Sequence, residues 1–327
     1  MIRVGFVGSG NITRRHFTAL SQLREQAEVV AVCDVIEERA SAAAEPFGAK
    51  TYLSFPQMLS REKIDALYVC LPPDAHVDQE LAAIDRGIHL FVEKPLPLDL
   101  SKASFIARRA KQAAIVTAVG FHWRYWAHVQ AVRAALVGER VGLALGYFLI
   151  ALPESPWWRI KARSGGQVVE QAIHIVDLMR YLGGEISRVS AEYAERGNDA
   201  EPGHAQEDVY TVNLRFRNGA IGNLSTCSIL HRRLNVGLDL LSKRCVYRIG
   251  EDATEIDQPS GVKRLERSND AGLAENVAFL RAVATGDRSG ILSDYPDALR
   301  TQRVVLAANR SAETGQPVEI PDGGVPV

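Results

Sequence analysis

Residues 1–13 read MIRVGFVGSGNIT, and this stretch decides the fold. Residues 2–7 are a short apolar run of the kind buried on both faces of a parallel sheet. Gly8, Ser9 and Gly10 follow, and a helical pattern occupies residues 12–23. Strand, glycine turn and helix in that order serve a purpose. Gly8 permits a tight turn, and Gly10 lets the backbone approach a pyrophosphate. The helix start at Asn11 and Ile12 then offers N–H donors and the positive end of its dipole. The third place of such a turn usually carries Gly or Ala; here it is Thr13.

The next strand, 28–33, runs into Asp34. An acidic residue there can accept hydrogen bonds from an adenosine ribose and repels a 2′-phosphate. No Ser-Arg pair follows it, so NAD is expected in preference to NADP. The alternative role for Asp34 is a helix N-cap before residues 35–39.

Further strand patterns lie at 64–70, 88–92 and 115–119. Helical ones lie at 37–47, 75–86 and 100–112. The strands are near-continuous apolar runs alternating with helices, the pattern of a doubly wound α/β fold. Residues 1–121 are therefore expected to form a Rossmann dinucleotide-binding domain. After Phe121 the rhythm changes. Helices are expected at 129–136, 166–182, 272–284 and 295–312. Strands are expected at 142–152, 189–195, 209–216, 220–228, 234–241 and 246–249. Turns such as Arg217-Asn218-Gly219 signal hairpins. Residues 122–327 thus read as a second α/β domain, with an open, mostly antiparallel sheet that binds substrate and supports oligomerisation.

The 327 residues suffice for two cores. With 38 basic and 39 acidic side chains the net charge is −1, which argues against nucleic acid or a membrane surface as partner. No uncharged apolar stretch reaches the ~20 residues of a bilayer span, and the opening residues read as a strand rather than a signal peptide. A cytoplasmic location is expected. Cys33, Cys70, Cys227 and Cys245 form no CxxC pair, so no metal site is expected and all four read as structural.

Ligands of open α/β sheets bind beyond the carboxyl ends of the strands. Three polar clusters stand there: Leu71-Pro72-Pro73-Asp74-Ala75-His76, Glu93-Lys94-Pro95, and Gly120-Phe121-His122-Trp123-Arg124. A buried strand ending in charged residues is unusual unless they are paired or used. The alternative for Lys94 is a surface ion pair with Glu93. In the helix expected at 166–182, apolar residues cover nearly the whole circumference. Glu170, His174, Asp177 and Tyr181 recur at i, i+4, i+7 and i+11, one face of a regular helix. A polar stripe on a buried helix needs partners or a wet cavity, and histidine suits proton movement near neutral pH. The alternative is a core histidine satisfied by Asp177.

Together these features resemble the Gfo/Idh/MocA family of sugar and cyclitol oxidoreductases. The resemblance rests on Gly8 and Gly10, on Glu93-Lys94-Pro95, on Gly120-Phe121 with Arg124, and on the helix carrying His174 and Asp177. Where the family's helix motif has Asp and Gly, this chain has Glu170 and Ala172. The resemblance implies an NAD-dependent dehydrogenase or reductase acting on a hydroxyl or keto carbon of a sugar, inositol or related polyol. It also implies that Lys94, His174 and Glu170 are catalytic, and that the Lys94–Pro95 bond is cis. The expected cofactor contacts are Gly8, Ser9, Gly10, Asn11, Ile12, Asp34, Leu71, Pro72, His76, Glu93, Lys94, Arg124, Trp158 and Arg159. The expected substrate contacts are Lys94, His122, Arg124, Trp157, Gln171, His174 and Asp177.

The chemistry agrees: His174 can take the hydroxyl proton while Lys94 stabilises negative charge on the oxygen. A sugar can stack on Trp157 or Trp158, although plain core packing is the other role for these rings. Two further readings stay open: a dinucleotide-binding regulator without chemistry, and a reductase of non-sugar compounds. A sheet with one exposed face often buries it in a homodimer or homotetramer.

Overall fold

A computed structural model of the chain describes residues 1–321. Residues 322–327, the end of the expected second domain, lie outside the described residues. The first 125 residues run β1 (Ile2–Val7), α1 (Thr13–Ser21), β2 (Ala27–Cys33), α2 (Glu37–Ala44), β3 (Lys50–Tyr52), α3 (Phe55–Arg61), β4 (Ala66–Val69), α4 (Gln79–Ile84), β5 (His89–Val92), α5 (Leu100–Gln112) and β6 (Thr117–Val119). Next come α6 (Ala127–Ala135), β7 (Val141–Ala151), α7 (Lys161–Ser164), α8 (Gln167–Glu170), α9 (Ile173–Leu178), β8 (Ile186–Ala194), β9 (Val209–Phe216) and β10 (Ile221–Leu230). The chain continues through β11 (Asn235–Ser242), β12 (Val246–Gly250), β13 (Ala253–Gln258), β14 (Gly261–Glu266), α10 (Ala271–Thr285), α11 (Tyr295–Thr314) and β15 (Val318–Glu319). Among the described residues, no helix is long and apolar enough to cross a membrane.

Two compact units result. Among the described residues, the first comprises Met1–Tyr125 with Asp270–Leu299, and the second comprises Trp126–Asn269 with residues 300–321. In the first unit six parallel strands stand in the order β3-β2-β1-β4-β5-β6. That is the doubly wound order expected from the alternation of strand and helix. Sequence patterning passed over β3, because only one of its three residues is buried.

The expected boundary after Phe121, with everything beyond it in one second domain, is corrected by α10. This helix belongs to the first unit. Phe279 and Leu280 join the core of Phe6, Tyr68 and Phe91. The Phe279 ring stands edge-on to Tyr68 at 5.6 Å and to Phe91 at 5.4 Å. The Tyr68 hydroxyl donates to Asn276 Oδ1 at 2.8 Å. Helical periodicity shows that a helix has an apolar face, but not which sheet that face covers.

The second unit carries nine strands in the order β14-β13-β12-β11-β7-β10-β9-β8-β15. β7 and β10 pair in parallel, and the other recorded pairings are antiparallel. In β9 buried and exposed side chains alternate, as in a sheet covered on one face. Part of the cover is α9, which lies so close that a Cβ on Gly146 of β7 would stand 2.5 Å from Ile175 Cγ2. The edge strand β14 is largely exposed and charged, which hid it from apolar patterning. Arg264 there pairs with Glu255 and Glu266, and charges of this kind protect an open edge.

The single helix expected over 166–182 is broken. α8 ends at Glu170 and is capped by Gln171 at φ −112° and ψ −56°, residues 171–172 form a turn, α9 restarts at Ile173, and a π-helical turn closes the run over Met179–Gly183. At the break the Ala172 amide reaches back to the Gln167 carbonyl at 3.0 Å, while the His174 amide bonds to Gln171 at 3.4 Å. Apolar residues all round the helix hold no phase information, so the sequence pattern could not reveal the interruption.

If α10 completes the core of the first unit, Phe279→Ala should lower its unfolding free energy by about 3–5 kcal/mol, the usual loss for a buried phenylalanine. Urea unfolding measures this. A variant within experimental error of the parent would show that the helix is not part of that core.

Candidate active site

In the first unit the glycine turn joins β1 to α1. Gly8 has φ +87°, and a Cβ there would collide with the Cys70 carbonyl oxygen, so only glycine fits. A Cβ on Gly10 would meet nothing within 4 Å, which leaves the backbone open to approach. Helical pairing starts with the Thr13, Arg14 and Arg15 amides bonding to the carbonyls of Gly10, Asn11 and Ile12. The amides of residues 10–12 therefore precede the helical ladder, as unpaired donors at a helix start do. Thr13 is fully buried, and its hydroxyl donates to the Gly8 carbonyl at 3.1 Å. The departure from Gly or Ala thus closes the turn from inside.

Asp34, at the end of β2, joins this turn. Its Oδ2 accepts from the Ser9 amide at 2.8 Å and the Ser9 hydroxyl at 2.9 Å. Its Oδ1 accepts from the Ile36 amide at 2.9 Å. The carboxylate therefore orders both the turn and the approach to α2, and it remains part-exposed. Open backbone at Gly10, helix-start amides and a strand-end carboxylate fit a dinucleotide.

Beyond β5, Lys94 is half-buried, and its bond to Pro95 is cis. The Glu93 side chain turns inward, with 2% of its surface exposed. Its Oε1 bonds to Nε2 of His16 on α1 at 2.9 Å, and its Oε2 accepts the Lys94 amide at 3.1 Å. With its carboxylate buried, Glu93 forms no surface ion pair with Lys94. Glu275 of α10 lies against the same group, with ligand-type atoms of His16, Glu93 and Glu275 within 4.8 Å of one another. Burial, with the Glu93 charge beside it, holds the Glu275 carboxyl well above the usual carboxylate range. His122 is also buried. Burial and the nearby Arg15 and Lys94 charges push its ring well below the usual histidine range, so it is neutral.

Two other residues of the expected cofactor set are buried. The His76 ring is enclosed, bonding to Glu80 through Nδ1 and to the Leu71 carbonyl through Nε2, so it offers no surface to a cofactor. Arg124 is 3% exposed and pairs with Asp297 at 2.7 Å, while its Nη1 donates to the Leu292 carbonyl at 2.5 Å. It ties the chain after β6 to the start of α11 and the segment before it. Leu71 and Pro72 remain half-buried at the end of β4.

In the second unit Glu170, Gln171 and His174 flank the helix break, all buried, with His174 7% exposed. Gln167 pins the first turn by donating to the Cys227 carbonyl of β10 at 3.0 Å. The one-face stripe does not form. Asp177 Oδ1 accepts from Thr301 of α11 at 2.8 Å. Tyr181 instead meets Gln130 and Arg133 of α6. Asp177, expected to contact substrate, is buried and bonded to Thr301. Trp157 and Trp158 are half-buried rather than core, with rings 5.7 Å apart and nearly perpendicular. Arg159 Nε donates to the Pro153 carbonyl at 2.9 Å.

Sequence reasoning missed His16 and Glu275. The available signal was a histidine on the buried face of α1 and a Glu-Asn pair inside an apolar helix.

The sheet order, glycine turn and strand-end carboxylate define a Rossmann-type dinucleotide-binding oxidoreductase domain. Residues 2–121 match the family model described as "Oxidoreductase family, NAD-binding Rossmann fold", and residues 147–237 match its "C-terminal alpha/beta domain". The chain belongs to the Gfo/Idh/MocA family. It is similar to myo-inositol 2-dehydrogenase of Thermotoga maritima, 26% identical over 98% of each chain. It is also similar to glucose-6-phosphate 3-dehydrogenase of Bacillus subtilis, 28% identical over 56% of this chain; the match spans about half, 54%, of that relative's length. Among solved structures, an oxidoreductase from Agrobacterium radiobacter shares the fold with TM-score 0.86 at 19% identity. That likeness covers 97% of this chain and 98% of the other.

The raised Glu275 value makes a prediction about stability. As pH rises through the ordinary glutamate range, the unfolded chain releases the proton first and the folded chain keeps it. Stability therefore falls with pH until the folded-state value is passed. Glu275→Gln should raise the Tm at pH 8 by a few degrees (about 1 kcal/mol is worth 2–4 °C at this size) and should leave Tm at pH 4 unchanged. Equal Tm differences at both pH values would contradict a buried, protonated carboxyl.

Proposed function

We propose that this protein transfers a hydride between nicotinamide and a hydroxyl or keto carbon of a sugar, inositol or related polyol, with NAD preferred over NADP. The observation that carries the reading is Lys94, a lysine just beyond the carboxyl end of β5 whose backbone amide is held by the Glu93 carboxylate. The neighbouring Glu93 carboxylate turns inward to His16 while the lysine side chain stays half-buried. The relatives support the substrate class: one is named for myo-inositol and another for glucose-6-phosphate. The half-buried Trp157–Trp158 pair suits the apolar face of a sugar ring.

The bound nicotinamide supplies the hydride acceptor in oxidation and the donor in reduction. His174 takes the hydroxyl proton onto a ring nitrogen as the C–H bond gives up its hydride, and it returns that proton in the reverse direction. Lys94 donates a hydrogen bond to the same oxygen and stabilises its developing negative charge. Glu170, one turn before His174 and across the helix break, supports positive charge on the imidazole. Asp177 acts at one remove, by fixing the helix through Thr301. Asp34 sets the cofactor preference, since its carboxylate repels a 2′-phosphate.

Two measurements test this reading. His174→Ala should keep the parental Tm and NAD affinity while kcat falls by roughly 10²–10⁴-fold, on the best substrate from a screen of inositols, aldoses and glycosides. A well-folded variant with nearly full turnover would remove His174 as the base. Calorimetry of the parent should show tighter binding of NAD than of NADP, and Asp34→Ala should narrow the gap. Equal affinities in the parent would refute this role for Asp34.

A further inference from the structure

We infer that His16 and Glu93 are positioning residues for Lys94: the imidazole fixes the Glu93 carboxylate, and that carboxylate fixes the Lys94 backbone. The argument starts from the backbone. Strand pairing on β5 continues as far as the Glu93 amide, which bonds to the Val69 carbonyl at 2.8 Å. Pro95 has no N–H, so the Lys94 amide is the last donor on this stretch before the chain turns away. Glu93 Oε2 accepts it at 3.1 Å. The carboxylate can do this only if it is held in place itself. His16 Nε2 holds Oε1 at 2.9 Å, and Asn276 steadies His16 Nδ1 from α10 at 3.1 Å.

The surroundings leave these groups little freedom. His16 is fully buried, with Phe91 4.7 Å and Tyr68 5.2 Å from its ring. On the other side lies Gly120, where a Cβ would stand 2.6 Å from all three carboxylate atoms of Glu93. A glycine at this strand end is therefore required by Glu93 itself. Both Glu275 oxygens are buried without a hydrogen bond among the described residues. Burial beside Glu93 holds the Glu275 carboxyl well above the usual carboxylate range, so it adds no competing charge at this point.

The inference rests on the proposal that Lys94 acts on the reacting oxygen, and its test separates the two. Protein labelled with 15N-lysine reports the Lys94 backbone amide directly, assigned by the peak missing from Lys94→Arg. In His16→Leu that peak should shift, and kcat should fall by up to about 10²-fold, the loss a ~1 Å misplacement can cause, with NAD affinity unchanged. His16→Gln, which restores a donor, should return both toward the parent. If His16→Leu does not fold, Glu93→Gln serves instead: it keeps the volume but offers one carbonyl oxygen where two are used. An unmoved Lys94 peak in a folded variant overturns the positioning role. A moved peak with full turnover upholds it and overturns the catalytic role of Lys94.

Discussion

A carboxylate buried at the end of a central strand is unfavourable by several kcal/mol unless fixed donors surround it. Glu93 imposes this condition on the first unit. Its donors come from α1 through His16 and from its own chain through the Lys94 amide. The space it needs comes from Gly120 at the end of β6. Asn276, 260 residues beyond His16, completes the set from α10. One buried carboxyl group thus ties the helix after the glycine turn, two adjacent strand ends and the returning helix into a single arrangement. The same arrangement fixes the backbone from which Lys94 projects, so the stability of the core and the geometry of the site are not separable here.

The second unit reaches its local geometry by a different route. Its helical run carries apolar residues on every side, so it is buried, and it lies against β7 because Gly146 offers no side chain to keep it away. Burial makes each polar group on the run expensive unless it is bonded, by about 1–3 kcal/mol for an unsatisfied one. Gln167 meets this by reaching strand carbonyls, and Asp177 by meeting Thr301. The break at Gln171 and the closing π-helical turn then redirect what would otherwise be one polar stripe. Asp177 and Tyr181 face different neighbours, while Glu170 and His174 remain beside the break.

The site was legible in the sequence to different depths. The glycine turn and Asp34 could be read because strand, turn and helix are contiguous, and their chemistry depends on backbone a few residues apart. Lys94 was legible from its place after an apolar run. The partners of Glu93 and Arg124 were not: each is a polar residue near a strand end whose use depends on what faces it. His16 and Asp297 are far away in the chain or on another element, and neither position is encoded by local spacing.

The sequence by itself determined that the first part of the chain is a doubly wound parallel sheet with a dinucleotide turn, since apolar runs, glycines and helix patterns are local signals that agree with one another. It also determined the residue types available for hydride chemistry. Tertiary structure alone decided that α10 covers the first sheet, that the 166–182 helix breaks, and which charged side chains are enclosed. Those outcomes depend on which surfaces meet and on how each buried polar group finds a partner, and the partners lie up to 260 residues apart.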